Sequence, residues 1–188
     1  MYKVEMIKEI ASLAELECKN DSNVFGYEIW THHISIVVKY AVMLAKKLDA
    51  DREIVEIASL LHDYASIKDK SMYEEHHIYG AVEAESILRQ YKYPEDRILR
   101  VKDCIMQHRG SVILERTSKE SLCIASADAM AHIDQIPSLL HLAYFKRKMN
   151  VDEGAEWVMR KIERSWNKLC PEAKDIMKGK YESAKIIL

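Results

Sequence analysis

A chain of 188 residues, 48% hydrophobic and 31% charged, can bury a sizeable core as one domain without staples. Its formal net charge of -2 argues against a nucleic acid polymer or an anionic membrane as partner, and 5 Gly with 3 Pro leave little turn chemistry for hairpins. Cys18, Cys104, Cys123 and Cys170 are dispersed, form no C-x-x-C pair and read as reduced thiols. The first turns carry charges in place of a signal peptide, and no uncharged run is long enough to span a bilayer, so a cytoplasmic location is expected.

Residues 3–19 place Val4, Ile7, Ile10, Ala11, Ala14 and Leu16 mostly three or four apart, the period of an amphipathic helix, which stops at the turn-forming run Asn20-Asp21-Ser22-Asn23. A second helix is predicted over about 28–48, with His33 one turn before Val37 on its apolar face. The third starts after Asp51 and carries Ile54, Val55, Ile57, Ala58, Leu60 and Leu61 into His62-Asp63. It is apolar nearly all round, as a central helix is. A polar break over 66–72 follows, then a helix over 73–90 with His76 and His77. Gly80 within it costs about 1 kcal/mol relative to Ala and points to a close approach by another backbone.

Pro94-Glu95-Asp96 opens a helix that runs to His108 and is closed by Gly110. Thr117-Ser118-Lys119-Glu120 resembles a capping box displaced by one position and serves as a start signal for the helix 122–133, where Asp128 lies among Ala125, Ala127 and Ala129. Helices over 138–148, 152–168 and 171–186 complete the chain. They hold few candidate groups, and their aromatic residues offer a surface for a homodimer. The expected fold is all-α: a single-domain helical bundle over 1–188.

His33, His62, Asp63, His76, His108 and Asp128 each lie in or beside an apolar helical stretch, on five separate helices. Ionisable groups drawn into a core must be paired, hydrogen-bonded or metal-bound. Several that can converge suggest a shared ion.

These residues resemble the HD-domain superfamily of metal-dependent phosphohydrolases. The early histidine corresponds to His33 in Trp30-Thr31-His32-His33-Ile34, and the His-Asp pair to His62-Asp63 closing a central helix. The late acid corresponds to Asp128 in Ala125-Ser126-Ala127-Asp128-Ala129, and the additional histidines to His76, four residues before Gly80, and to His108. The resemblance covers about 28–132, with the helices of 138–188 packing on that core. Many members have Ile-Gly after the pair, where this chain has Tyr64-Ala65. In each doublet, His32/His33 and His76/His77, one ring is taken as the ligand, His33 and His76. His32, His77, His132 and His141 are read as surface or local hydrogen-bonding residues.

The resemblance implies His33, His62, Asp63 and Asp128 as metal ligands, with Asp63 and His62 as the catalytic pair. His76 and His108 would hold a second metal or contact substrate phosphate, and Lys68, Lys70 and Arg109 would neutralise phosphate charge. Two imidazoles with two carboxylates suit Mn, Fe, Co, Ni or Mg in six-coordination better than a closed zinc site. One ion is expected, with room for a second. The implied activity is a metal-activated water attacking a phosphate ester or anhydride of a small phosphorylated molecule, a nucleotide, in a nucleotidase or nucleotide pyrophosphohydrolase reaction. The alternatives are a di-iron oxygenase of the HD type and a non-catalytic ligand-binding module. Glu74-Glu75-His76-His77 contains one Glu-x-x-His spacing, whereas a ferritin-like di-iron bundle needs two.

Overall fold

The computed structural model describes residues 2–109 and 115–188, and every regular element among them is helical. The helix closure expected at Gly110 lies outside the described residues. In chain order the first elements are α1 (Tyr2–Cys18), α2 (Ser35–Leu48) and α3 (Arg52–Leu61), followed by the short α4 (Tyr64–Lys68) and by α5 (His76–Gln90). The second half comprises α6 (Glu95–Gln107), α7 (Lys119–Asp134), α8 (Ile136–His141), α9 (Val151–Lys168) and α10 (Pro171–Ile187).

Helix α3 is the axis of the molecule. Ile54, Val55, Ile57, Ala58 and Leu61 are completely buried, packed between α2, α6 and α7, with α1 across the outer side. Burial of each such Ile or Leu stabilises by about 2 kcal/mol. Asp51 caps the helix by accepting from the Ile54 amide at 3.3 Å, and Arg97 of α6 pairs with Asp51 and Glu53 at 3.0 Å. Arg100 bridges Asp51 to Glu120 of α7, at 3.2 Å from each. The N-terminal ends of α3 and α7 are thereby tied to one face of α6, so the far ends of these helices meet in a fixed relation.

Helix α7 is buried from Cys123 to Ala131. Its small residues Ala125, Ser126, Ala127 and Ala129 let α2, α9 and α10 approach closely. The N-terminus of α10 docks there, with the Cys170 amide donating to Ser126 Oγ at 3.1 Å. The start signal before α7 is a complete reciprocal box: Ser118 Oγ accepts from the Ser121 amide at 3.0 Å and Ser121 Oγ from the Ser118 amide at 3.2 Å. A serine at the third helical position does what Glu or Gln usually does, so α7 begins at Lys119, ahead of the predicted Leu122.

Two expectations are corrected. The polar break expected over 66–72 begins later, because Tyr64, Ala65, Ser66 and Ile67 are buried in α4 and the exposed stretch starts at Lys68. Ile67 packs with Cys18 and Ile34, a long-range contact that local polarity does not reveal. The helix predicted over 73–90 starts with a 3-10 segment, Lys70–Glu75, and becomes α-helical at His76.

Candidate metal centre

Most of the ligand-type side chains sit at a local irregularity or a helix end. His33 belongs to a π turn, Trp30–Ile34, whose Ser35 amide donates to the Trp30 carbonyl five residues back; the extra residue widens the helix where it must present a side chain. His62 is the C-cap of α3. Asp63 follows at φ -105°, ψ 5°, the bridge region between helical turns that many active-site residues occupy. Gly80 lets α5 come close, since a Cβ there would lie 3.3 Å from the His62 carbonyl oxygen. His108 caps the end of α6, and Asp128 projects from the buried middle of α7.

The six converge. His33 Nε2 lies 3.2 Å from His62 Nε2, 3.2 Å from Asp63 Oδ2 and 3.5 Å from Asp128 Oδ1. His62 Nε2 is 3.4 Å from the same Asp63 oxygen. On the other side, Asp63 Oδ1 lies 3.4 Å from His76 Nε2 and 3.9 Å from His108 Nε2. The Asp63 carboxylate is therefore shared between two groups, His33–His62 and His76–His108, and each can hold a cation with it.

Backbone carbonyls fix the tautomers. Nδ1 of His62, His76 and His108 donates to Ser59, Tyr73 and Ile105 oxygens at 2.8, 2.7 and 2.6 Å. That places each proton on Nδ1 and leaves Nε2 a bare lone pair directed inward. The Nε2 atoms of His76 and His108 face each other at 3.1 Å. Two acceptors at that separation repel, and a cation between them relieves it. This donor set fits a divalent metal ion.

Electrostatics agree with that fit. Burial raises the Asp63 carboxyl, but His62, His33 and His76 outweigh it and hold its pKa well below the ordinary range. Asp128 behaves likewise: burial is opposed by Lys168, His132, His33 and His62, and its pKa ends well below normal. Both are carboxylates at neutral pH. Burial, with His62 and His76 nearby, drives the His108 pKa down to about 3, so its imidazole is neutral. His62 is pulled down by burial and up more strongly by Asp63 and Asp128, so a proton competes with any cation there.

In the doublets, His33 and His76 turn to the cluster. His32 lines an apolar cleft beside it, and His77 is buried with no partner for Nδ1 among the described residues. The other basic residues are placed differently from expectation. Lys68 is paired with Glu83 at 2.9 Å on the surface, because α4 turns it away, and neither Lys68 nor Lys70 reaches the cavities. Arg109 does line one and reaches Glu74.

Several residues of the site were not anticipated from the sequence, where His132 reads as a surface or local hydrogen-bonding residue. His132, four residues after Asp128, stacks on His33 with ring centroids 5.1 Å apart and lies 3.6 Å from Asp128 Oδ1. Lys168 of α9 pairs with the other Asp128 oxygen and donates to the His108 carbonyl at 2.8 Å. Lys161 and Arg164 share that helix face. A recurrence at positions 157, 161, 164, 165 and 168 is legible as one stripe, but nothing local says that it faces inward.

Two cavities open onto the centre. One, of about 120 Å³, is an apolar cleft with Phe25, Ile29, Tyr73, Leu139 and Leu142 in its wall. The other, of about 320 Å³, is lined by Arg109, Arg147, Lys161, Arg164 and Lys168. Asp63, Tyr73, His132 and Lys161 border both.

Fold and site together define a class, an all-helical protein with a buried His/Asp ligand cluster where its central helices end. Residues 30–133 match the family model of the HD domain, and the chain belongs to the HD-domain family, within a superfamily of metal-dependent phosphohydrolases. No curated protein matches the chain. Its fold is similar to that of Bacillus subtilis YpgQ, at 19% identity over 97% of this chain and 91% of YpgQ, with a TM-score of 0.71. It is also similar to the Lin1889 protein from Listeria innocua, at 17% identity over 100% of this chain and 93% of that one, with a TM-score of 0.73. YpgQ has been solved in complex with ADP as well; that structure is 19% identical over 92% of this chain and 90% of its own, with a TM-score of 0.66. Among the described residues no helix is long and apolar enough to cross a membrane.

Proposed function

We propose that this protein is a metal-dependent phosphohydrolase of nucleotides, with two cation positions that share Asp63. One observation carries the reading: the Asp63 carboxylate offers Oδ2 to His33 and His62 and Oδ1 to His76 and His108. Asp128 completes the first position through Oδ1. When bound, divalent ions lower the pKa of water and withdraw charge from a phosphoryl group. The protein's part is to hold Asp63 ionised so that it orients the attacking water, and to keep His108 neutral.

The two cavities support the choice of substrate. The cationic one suits phosphate, while the apolar cleft with Phe25 and Tyr73 suits a flat base. YpgQ, similar in fold, has been solved with ADP, which agrees with a nucleotide. A di-iron oxygenase would use the same ligands, but the cations of the larger cavity favour an anionic substrate and hydrolysis.

Purified protein loaded with Mn²⁺ or Co²⁺ should release phosphate or pyrophosphate from a nucleotide panel, and His62→Ala or Asp63→Ala should abolish the release. No turnover with two ions demonstrably bound would reject the hydrolase. Oxygen-dependent spectral change with iron alone would establish the oxygenase instead.

A further inference from the structure

Helix α9 lies outside the stretch that matches the HD domain, yet one of its faces borders the centre. Trp157, Lys161, Arg164, Ser165 and Lys168 recur at helical spacing and all line the larger cavity. Their charges are not equivalent. Lys168 is neutralised by Asp128 and anchored to the His108 carbonyl, which makes it part of the frame. Arg164 is exposed, and Arg147 lies over the Trp157 ring at 4.7 Å. Lys161 is the unusual one. It borders both cavities beside Asp63 and His132, and among the described residues it has neither hydrogen bond nor ion pair.

Lys161 is half-buried, and an ammonium partly withdrawn from water is favoured by a nearby anion. Burial lowers the Lys161 pKa, and Lys168 and Arg164 add to that, while Asp128 and Asp63 oppose it. The ion-paired carboxylates nearby do not satisfy it. An anion entering either cavity would pair with it.

We infer that Lys161 is a catalytic residue: its ammonium, unpaired at the junction of the two cavities, contacts the phosphoryl group under attack. Arg164 and Arg147 hold the phosphate beyond it. The inference rests on the phosphohydrolase reading and adds a residue on α9 to it. Its positive charge would stabilise the negative charge that develops on the phosphoryl oxygens in the transition state. Its position at the junction means that it meets the phosphate next to the metal-ligand cluster, whichever phosphate that is.

The test compares full-length wild type with Lys161→Met and Lys161→Arg. In Mn²⁺-loaded protein, the methionine variant should keep its metal content and melting temperature but lose about 100-fold in kcat with a smaller change in KM. In chelator-treated protein, calorimetry with inorganic pyrophosphate should show affinity weakened by about tenfold or more, and Lys161→Arg should restore part of it. Should the methionine variant misfold, Lys161→Gln carries the same expectations. Values of kcat and pyrophosphate affinity within threefold of wild type overturn the inference. If the wild type turns over no nucleotide, it is the hydrolase reading that fails, and the pyrophosphate measurement still decides whether Lys161 holds an anion.

Discussion

Lys168 grips Asp128 from behind: its ammonium pairs with Oδ2 while Oδ1 faces His33. The same ammonium donates to the His108 carbonyl, so one side chain braces a ligand from each side of the cluster. The Lys168 and Asp128 side chains are 6% and 9% exposed, and removing one partner of such a pair leaves the other charge stranded. Lys168→Met should lower the stability of chelator-treated protein by about 3 kcal/mol. Divalent metal should return part of that loss, because it supplies Asp128 with another cation. Urea denaturation with and without Mn²⁺ measures both, and an equal loss in the two conditions would show that Lys168 supports the fold alone.

The doublets give a paired comparison within one helical turn. His33 and His76 face Asp63, whereas His32 lines the apolar cleft and His77 is buried with no partner for Nδ1 among the described residues. His33→Ala and His76→Ala should each weaken metal binding by at least about 100-fold, beyond what loss of an outer-sphere partner brings. His32→Ala should leave metal content unchanged. Elemental analysis after desalting provides the numbers, and metal loss in the His32 variant would reverse the assignment.

What the sequence made legible was the set of residues that must be buried though polar. His33, His62, His76, His108 and Asp128 stand in apolar helical patterns, and burial of a polar group demands a partner wherever the helix ends up. Position along the chain was a poor guide to the cations. Lys68 and Lys70 follow His62-Asp63 closely, yet α4 is drawn inward by Tyr64 and Ile67 and carries Lys68 outward to Glu83. Lys161 and Lys168 lie about a hundred residues away and come to the site because Val158 and Ile162 bury against the core. Which face of α9 turns inward depends on packing with α7, and an amphipathic pattern by itself does not say what its flanking charges meet. The reciprocal serine cap of α7 was missed for a different reason, since the usual pattern asks for Glu or Gln.

Phe25 and Tyr73, with ring centroids 5.8 Å apart, stand in the wall of the apolar cleft. If the cleft takes a base, Phe25→Ala removes a stacking surface worth 1 kcal/mol or somewhat more, about a tenfold rise in KM for nucleotides. Hydrolysis of an aryl phosphate such as p-nitrophenyl phosphate, which needs no base pocket, should stay near the wild-type level. A parallel loss on both substrates would place the effect in the metal cluster and leave the cleft without a base to read.

His108 couples pH to stability. Its pKa falls from 6.5 to about 3, mainly through burial and then through His62 and His76. The unfolded chain takes up a proton near 6.5 that the folded chain refuses until about 3, so the unfolded state binds more protons across that window. Stability of the chelator-treated protein therefore decreases as pH drops from 6.5 towards 3 on this account. Asp63 and Asp128, whose pKa values are depressed, add stability that is present above the ordinary carboxylate pKa and disappears only at lower pH. His62 runs the other way: its raised pKa stabilises below 6.5 and that contribution fades as pH rises. His108→Leu removes the first effect and keeps the others. Urea midpoints at about pH 7 and about pH 5, measured with chelator, should fall less in the variant than in wild type. An unchanged difference would mean that His108 accepts its proton readily when folded, contrary to the bare, inward Nε2 that its Ile105 hydrogen bond imposes.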